Sequence, residues 1–207
     1  MTIDSYSAIA GAVGTVAAVI VALYLSVWRD DRWRAELKVL DFDAARLGDQ
    51  VEISEPDRKS LWVRLSVVNA PRRRTAHDVE VALETVEALG EDLPEELVRG
   101  IAGAAGRQLK WADRSDGTLS IHPGAVRRFD LFHVVTGGDR DCCRFTFRDL
   151  GQGDDGHPLG WQCVLPVGSY RVNLSIEAAD LDTRQFCCVI TWRGGFDLEV
   201  SPVTRVV

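Results

Sequence analysis

Residues 61–86 read LWVRLSVVNAPRRRTAHDVEVALETV. Two runs in this stretch alternate apolar and polar side chains. The first carries Leu61, Val63, Leu65 and Val67; the second carries Val79, Val81, Leu83 and Thr85. Successive side chains of a strand point to opposite faces, so each run predicts a strand with one buried face. Asn69 and Pro71 mark a turn between them, and that turn holds Arg72, Arg73 and Arg74 in succession.

The same period continues downstream. Short candidates lie at 108–111 and 118–121, a longer one at 126–135, and others at 143–147, 161–165, 170–176, 185–191 and 196–200. Asp116-Gly117, Pro123-Gly124, Gly137-Gly138 and Gly194-Gly195 separate them. With a first strand at Leu37 and Val39, this pattern predicts a mainly β chain: an antiparallel sandwich over residues 35–207. Residues 91–106 break the alternation. Asp92 can cap, Pro94 sits near a first helical position, and Leu93, Leu97 and Ile101 fall at helical spacing. A short helical insertion is expected there, weakened by Gly100 and Gly103.

Upstream, residues 8–28 read AIAGAVGTVAAVIVALYLSVW, with no charge. At about 1.5 Å per residue, such a helix matches a hydrocarbon core roughly 30 Å thick. One transmembrane helix is expected, with residues 1–7 as a short N-terminus and 29–34, RDDRWR, as a charged stop. A cleaved signal peptide fits less well, because no Lys or Arg precedes the apolar run. Basic residues gather on the cytoplasmic side. Arg29, Arg32, Arg34 and Lys38 follow the span, so the N-terminus is expected outside the plasma (inner) membrane and residues 35–207 in the cytoplasm. Tyr24, Trp28 and Trp33 are aromatics of the kind that sit at headgroup depth. Ala10, Gly14, Ala18 and Ala22 recur every four residues, a stripe on which a second helix can pack. The abundance of Ala and Gly in this chain explains that stripe at least as well.

The net charge is −7. Arg29, Arg32 and Arg34 offset Asp4, Asp30 and Asp31, so the charge belongs to the part after residue 34. An acidic domain lacks the basic footprint that nucleic acid requires. The five cysteines are Cys142, Cys143, Cys163, Cys187 and Cys188, without a C-x-x-C spacing. They read as small core side chains in a reducing compartment, ahead of a metal, redox or disulfide role. His77, His122, His133 and His157 are scattered, and no nucleophile elbow, zinc, P-loop or dinucleotide motif occurs. Asp154-Asp155-Gly156-His157 lacks the alternating ligands of a calcium loop. No enzyme, metal or cofactor is expected.

Two local patterns carry a resemblance. Val63-x-Leu65-x-Val67-Val68-Asn69, followed by Thr75-Ala76-x-Asp78-Val79-x-Val81-x-Leu83, resembles bacterial immunoglobulin-like domains, in particular CARDB-type modules. There the Asn bonds turn backbone and the small Ala admits the next strand to the core. Gly168-Ser169-Tyr170, opening a strand, resembles the tyrosine corner of immunoglobulin-like sandwiches, whose phenol ties back to upstream backbone. Where such modules carry a glycine in the first turn, this chain has Pro71-Arg72-Arg73-Arg74. The layout is also similar to single-pass membrane proteins of actinobacteria. The resemblance implies a fold and no activity.

These observations lead to an expected function: a membrane-anchored binding or scaffold protein offering its sandwich to a protein partner, with 91–106 as the first candidate surface. The alternative is a membrane-acting effector or sensor that self-associates through its helix, in a bacterial defence setting. Arg72, Arg73 and Arg74 are candidates for headgroup contacts if their turn faces the bilayer.

Overall fold

The two runs of the 61–86 stretch do not pair with each other; they open two different sheets. The computed structural model describes residues 3–43, 50–55, 58–90, 106–112, 118–136, 142–145 and 164–206. Helix α1 (Ile3–Trp33) leads into β1 (Leu37–Leu40), β2 (Gln50–Glu55), β3 (Arg58–Asn69) and β4 (Ala76–Ala88). The short strands β5 (Arg107–Gln108), β6 (Lys110–Trp111) and β7 (Leu119–Ile121) come next, then β8 (Val126–Thr136), β9 (Cys142–Phe145) and β10 (Val164–Leu165). The chain closes with β11 (Gly168–Ala178), β12 (Leu181–Trp192), β13 (Leu198–Val200) and β14 (Thr204–Val206).

One sheet runs β1-β3-β8-β9-β10, with β2 also on β3 and β6 also on β8. The other runs β13-β12-β11-β4-β5, with β14 also on β12 and β7 also on β4. Every pairing is antiparallel. Leu61, Val63, Leu65 and Val67 from the first sheet and Val79, Val81, Leu83 and Val172 from the second share one buried core. Fully burying each such side chain contributes roughly 1.5–3 kcal/mol. Two antiparallel layers around a common core are the arrangement of a β-sandwich.

The registers give the sandwich two distinct ends. Leu37 pairs Asn69, and Ala76 pairs Ile121, at the end from which α1 leaves. Lys59 pairs Thr136, Tyr170 pairs Ala88 and Gly168 pairs Trp192 at the opposite end. At that far end the Tyr170 hydroxyl donates to the Pro166 carbonyl at 2.6 Å, and the ring lies so close to Gly168 that a Cβ there would sit 3.0 Å from the phenol oxygen.

Strands β2 and β14 carry no alternation strong enough to predict from sequence, and both are short strands on sheet edges. The helix is longer than the apolar stretch that announces it. Nothing in Arg29-Asp30-Asp31-Arg32-Trp33 breaks a helix, so most of the charged stop forms its last turns. Among the described residues no helix is long and apolar enough to cross a membrane; the side chains described in α1 ahead of its charged end run from Val13 to Trp28. Residues 91–105 of the expected insertion, Cys163 and Asp154–His157 lie outside the described residues.

Candidate functional site

Where α1 meets the sandwich, three segments far apart in sequence converge on Asn69. Its side chain is fully buried. Its Nδ2 donates to the carbonyls of Arg74 at 2.7 Å and Ile121 at 2.9 Å, and its Oδ1 accepts from the Glu36 amide at 3.1 Å. The Gly124 amide donates to the Asn69 carbonyl at 2.8 Å, from a His122–Ala125 turn whose Gly124 has φ 73°. Pro123 and Gly124 occupy the two central positions that such a turn favours. One buried amide thus holds the β3–β4 turn, the turn before β8 and the segment leaving the helix.

The three arginines of the turn have separate tasks. Arg74 contributes its backbone, donating from its amide to the Trp33 carbonyl at the end of α1 at 2.7 Å. Arg73 is half-buried; its guanidinium donates to the Arg32 carbonyl and sits 2.7 Å from the Glu36 carboxylate. A cation on the last carbonyls of a helix opposes the negative end of its dipole. Glu36 also meets Lys38 at 3.1 Å. Lys38 first, and Arg73 with it, hold the Glu36 carboxyl below the usual carboxylate range, against burial, which raises it. Arg72 is exposed, with φ 61°. On the other flank, Arg34 Nε donates to the Asp180 carbonyl at 3.0 Å, and Arg184 donates to the Leu37 carbonyl at 2.9 Å.

A cleft of about 600 Å³ opens between helix and turn, lined by Leu25, Trp28, Arg32 and Trp33 on one side and Pro71, Arg72 and Arg73 on the other. The Arg32 guanidinium lies over the Trp28 ring, 4.9 Å from its centroid. Sequence order puts Trp28 and Trp33 at the close of the apolar stretch and gives the turn its charge. That the two meet follows only from the closure of the sandwich, which no local pattern announces.

Gly14, Ala18 and Ala22 are exposed, and a Cβ on Gly14 would touch nothing within 4 Å; the side chain of Ala10 lies outside the described residues. His122 Nδ1 lies 3.1 Å from the Thr75 hydroxyl, and His77 Nδ1 lies 3.2 Å from the Ser120 hydroxyl, both at the helix end of the sandwich. Among the described residues, no group of His, Cys, Asp and Glu is arranged to hold a metal ion. Cys143 and Cys188 are buried and Cys187 is half-buried; all three are free thiols. Burial, with the Cys187 thiol beside it, pushes the Cys188 thiol up to about 12.

A second polar cluster lies on the face of β3 and β8 turned away from the core. Arg64 Nε donates to Asp130 Oδ1 at 2.7 Å, and Trp62 stacks on His133 with centroids 4.5 Å apart. Asp130 is buried and Arg64 largely so, which makes this a cross-strand structural pair. No family model, curated protein or solved structure matches this chain.

Proposed function

We propose that the chain is a single-pass membrane-anchored binding or scaffold protein, presenting an immunoglobulin-like sandwich to a protein partner on the cytoplasmic side. The observation that carries this reading is the exposure of α1. Every described side chain from Val13 to Trp28 is exposed, including Val16, Ile20, Leu23 and Leu25. Exposed apolar area costs roughly 25 cal/mol per Å² in water, and a patch that encircles a helix calls for lipid or other helices as its surroundings. The charge-free 8–28 stretch is long enough to be covered by one bilayer.

The strand order supports the immunoglobulin-like assignment. Reading β1, β3, β8 and β6 as strands A, B, E and D, and β4, β11 and β12 as C, F and G, gives the two-sheet order of that fold. The Tyr170–Pro166 bond occupies the place of its tyrosine corner. Strand β4 ends at Ala88, at the end of the sandwich opposite the helix.

Two measurements test the reading. Alkaline carbonate should leave the full chain in the membrane pellet; release into the supernatant would remove the anchor. Val167→Cys places a thiol on an exposed far-end position, where the wild type has only buried or half-buried described thiols nearby. It should react with a membrane-impermeant maleimide only after lysis, and reaction in intact cells would reverse the orientation.

The effector reading rests on the open side of the helix at Gly14, Ala18 and Ala22. Gly14→Ile should abolish self-association in detergent if that reading holds and leave it unchanged if the scaffold reading holds.

A further inference from the structure

We infer that the cleft between α1 and the 71–73 turn seats the headgroup of an anionic phospholipid from the leaflet on the sandwich side. This rests on the membrane-anchored reading above.

The lining is divided by chemistry along the helix axis. Leu25 and Trp28 come from the apolar stretch, one turn and less from its end, while Arg32, Arg72 and Arg73 lie toward the sandwich. An acyl-chain root followed by a phosphodiester has the same order from the bilayer outward. Trp28 and Trp33 flank the site, and tryptophan favours headgroup depth, which sets the cleft at the level of the phosphates.

Of the three arginines lining the cleft, two keep their charge for a ligand. Arg73 is engaged by Glu36, and Glu36 is shared with Lys38. Arg32 rests on the Trp28 ring, and Arg72 points out from the turn; neither has a carboxylate partner among the described side chains. A planar guanidinium matches two phosphate oxygens at once. The turn that carries Arg72 and Arg73 is also held in place before any ligand arrives. The bond from the Arg74 amide to the Trp33 carbonyl and the bonds of Asn69 fix the turn against the helix, which lowers the ordering cost of binding. The chain carries −7 overall, so its net charge alone does not draw it to an anionic leaflet.

The test uses the full chain reconstituted in phosphatidylcholine vesicles containing a minor fraction of brominated-chain phosphatidylglycerol or, in parallel, brominated-chain phosphatidylcholine. Bromine quenches tryptophan only at close range, so Trp28 and Trp33 report the lipid that dwells beside them. Brominated phosphatidylglycerol should quench more strongly than its zwitterionic counterpart. Arg72→Gln and Arg32→Gln should each lower that preference about five-fold, the worth of one basic residue near an anionic surface. Arg193→Gln, at the far end of the sandwich, should leave it unchanged. Equal quenching by both lipids would overturn the inference while leaving the anchor intact. Quenching by neither would remove the anchor and the inference together. Loss of the preference on adding inorganic phosphate would assign the cleft to a soluble anion and overturn the lipid. Arg72 makes no described bond within the chain, so its variant keeps the fold, and an unchanged melting temperature verifies that.

Discussion

Asn69 and Arg74 are joined by a bond of 2.7 Å from a buried side-chain amide to a main-chain carbonyl, and this bond closes the turn that carries the chain from one sheet to the other. The same amide serves Ile121 and Glu36. Asn69→Ala leaves three backbone groups without their partner, the Ile121 carbonyl buried and the Arg74 carbonyl and Glu36 amide part-buried, and a buried group costs about 1–3 kcal/mol when left unpaired. A total loss of about 3 kcal/mol is expected after partial rehydration. For a domain of this size that lowers the melting temperature by roughly 6–12 °C, readable by circular dichroism of the solubilised chain. Asn69→Asp should be at least as damaging, because a carboxylate then faces two carbonyls that need donors.

At the far end, Tyr170→Phe removes one hydrogen bond and nothing else. A loss of about 1 kcal/mol is expected. Gly168→Ala forces its new methyl to within 3.0 Å of the phenol oxygen and should disturb the same bond. Because both changes act on one contact, the double variant should lose less than the sum of the two. Additive losses in denaturant titrations would separate Gly168 from the tyrosine.

Alkali should weaken the fold before it titrates lysine. Burial first, and Cys143 second, push the Tyr170 phenol up to about 12, and burial does the same for Cys188. Both values are raised in the folded chain. The unfolded chain therefore loses these protons first, and stability that is full below the ordinary thiol and phenol values declines as pH climbs toward 12. Tyr170→Phe and Cys188→Ala should each flatten the dependence of unfolding free energy on pH between about pH 9 and 11. An unchanged slope in both variants would contradict the assignment.

Arg73 and Glu36 govern how firmly the helix is fixed to the sandwich. A half-buried pair still largely screened by water contributes about 0.5–1 kcal/mol, so Arg73→Ala should leave the melting temperature nearly unchanged. Its effect should be local: amide exchange at Glu36 and Ala70, whose amides bond to Asn69 and Glu36, should quicken about two- to five-fold. Glu36 is lowered in the fold, so its contribution is complete above the ordinary carboxyl value and is lost as pH falls through the lowered one. In acid, wild type and variant should converge.

Arg64→Met leaves the Asp130 carboxylate buried without its guanidinium. A cost of about 3–5 kcal/mol is expected, and the double variant Arg64→Met, Asp130→Leu should recover most of it. A double variant as unstable as the single one would place the damage in packing and not in charge.

The long strands were legible because a period of two is a direct consequence of having one wet face. Leu61 to Val67 and Val79 to Leu83 alternate without a break, and they form β3 and β4. Residues 50–55 and 204–206 resisted such a reading because an edge strand owes its place to a neighbour's free hydrogen bonds more than to its own pattern. Asn69 was legible as a turn residue, but its three partners at 36, 74 and 121 were not, since only the folded sheets bring them together. For the same reason the arginine turn could be recognised as basic without any sign that Arg73 would face the helix end, that the Arg74 amide would bond Trp33 and that Arg72 would remain outside.

The edges of both sheets are interrupted. Along β3, β1 and β2 follow one another; along β12, β14 and β13 do; along β4, β7 and β5 do, and none of these edge strands exceeds the six residues of β2. A protein held in a membrane plane meets its own copies at far higher local density than one free in solution. Under that crowding, an uninterrupted edge would invite copy after copy to add strands and grow into a ribbon. Short, staggered edges remove that route, and on the proposed membrane-anchored reading they let molecules pack densely against a bilayer as separate units.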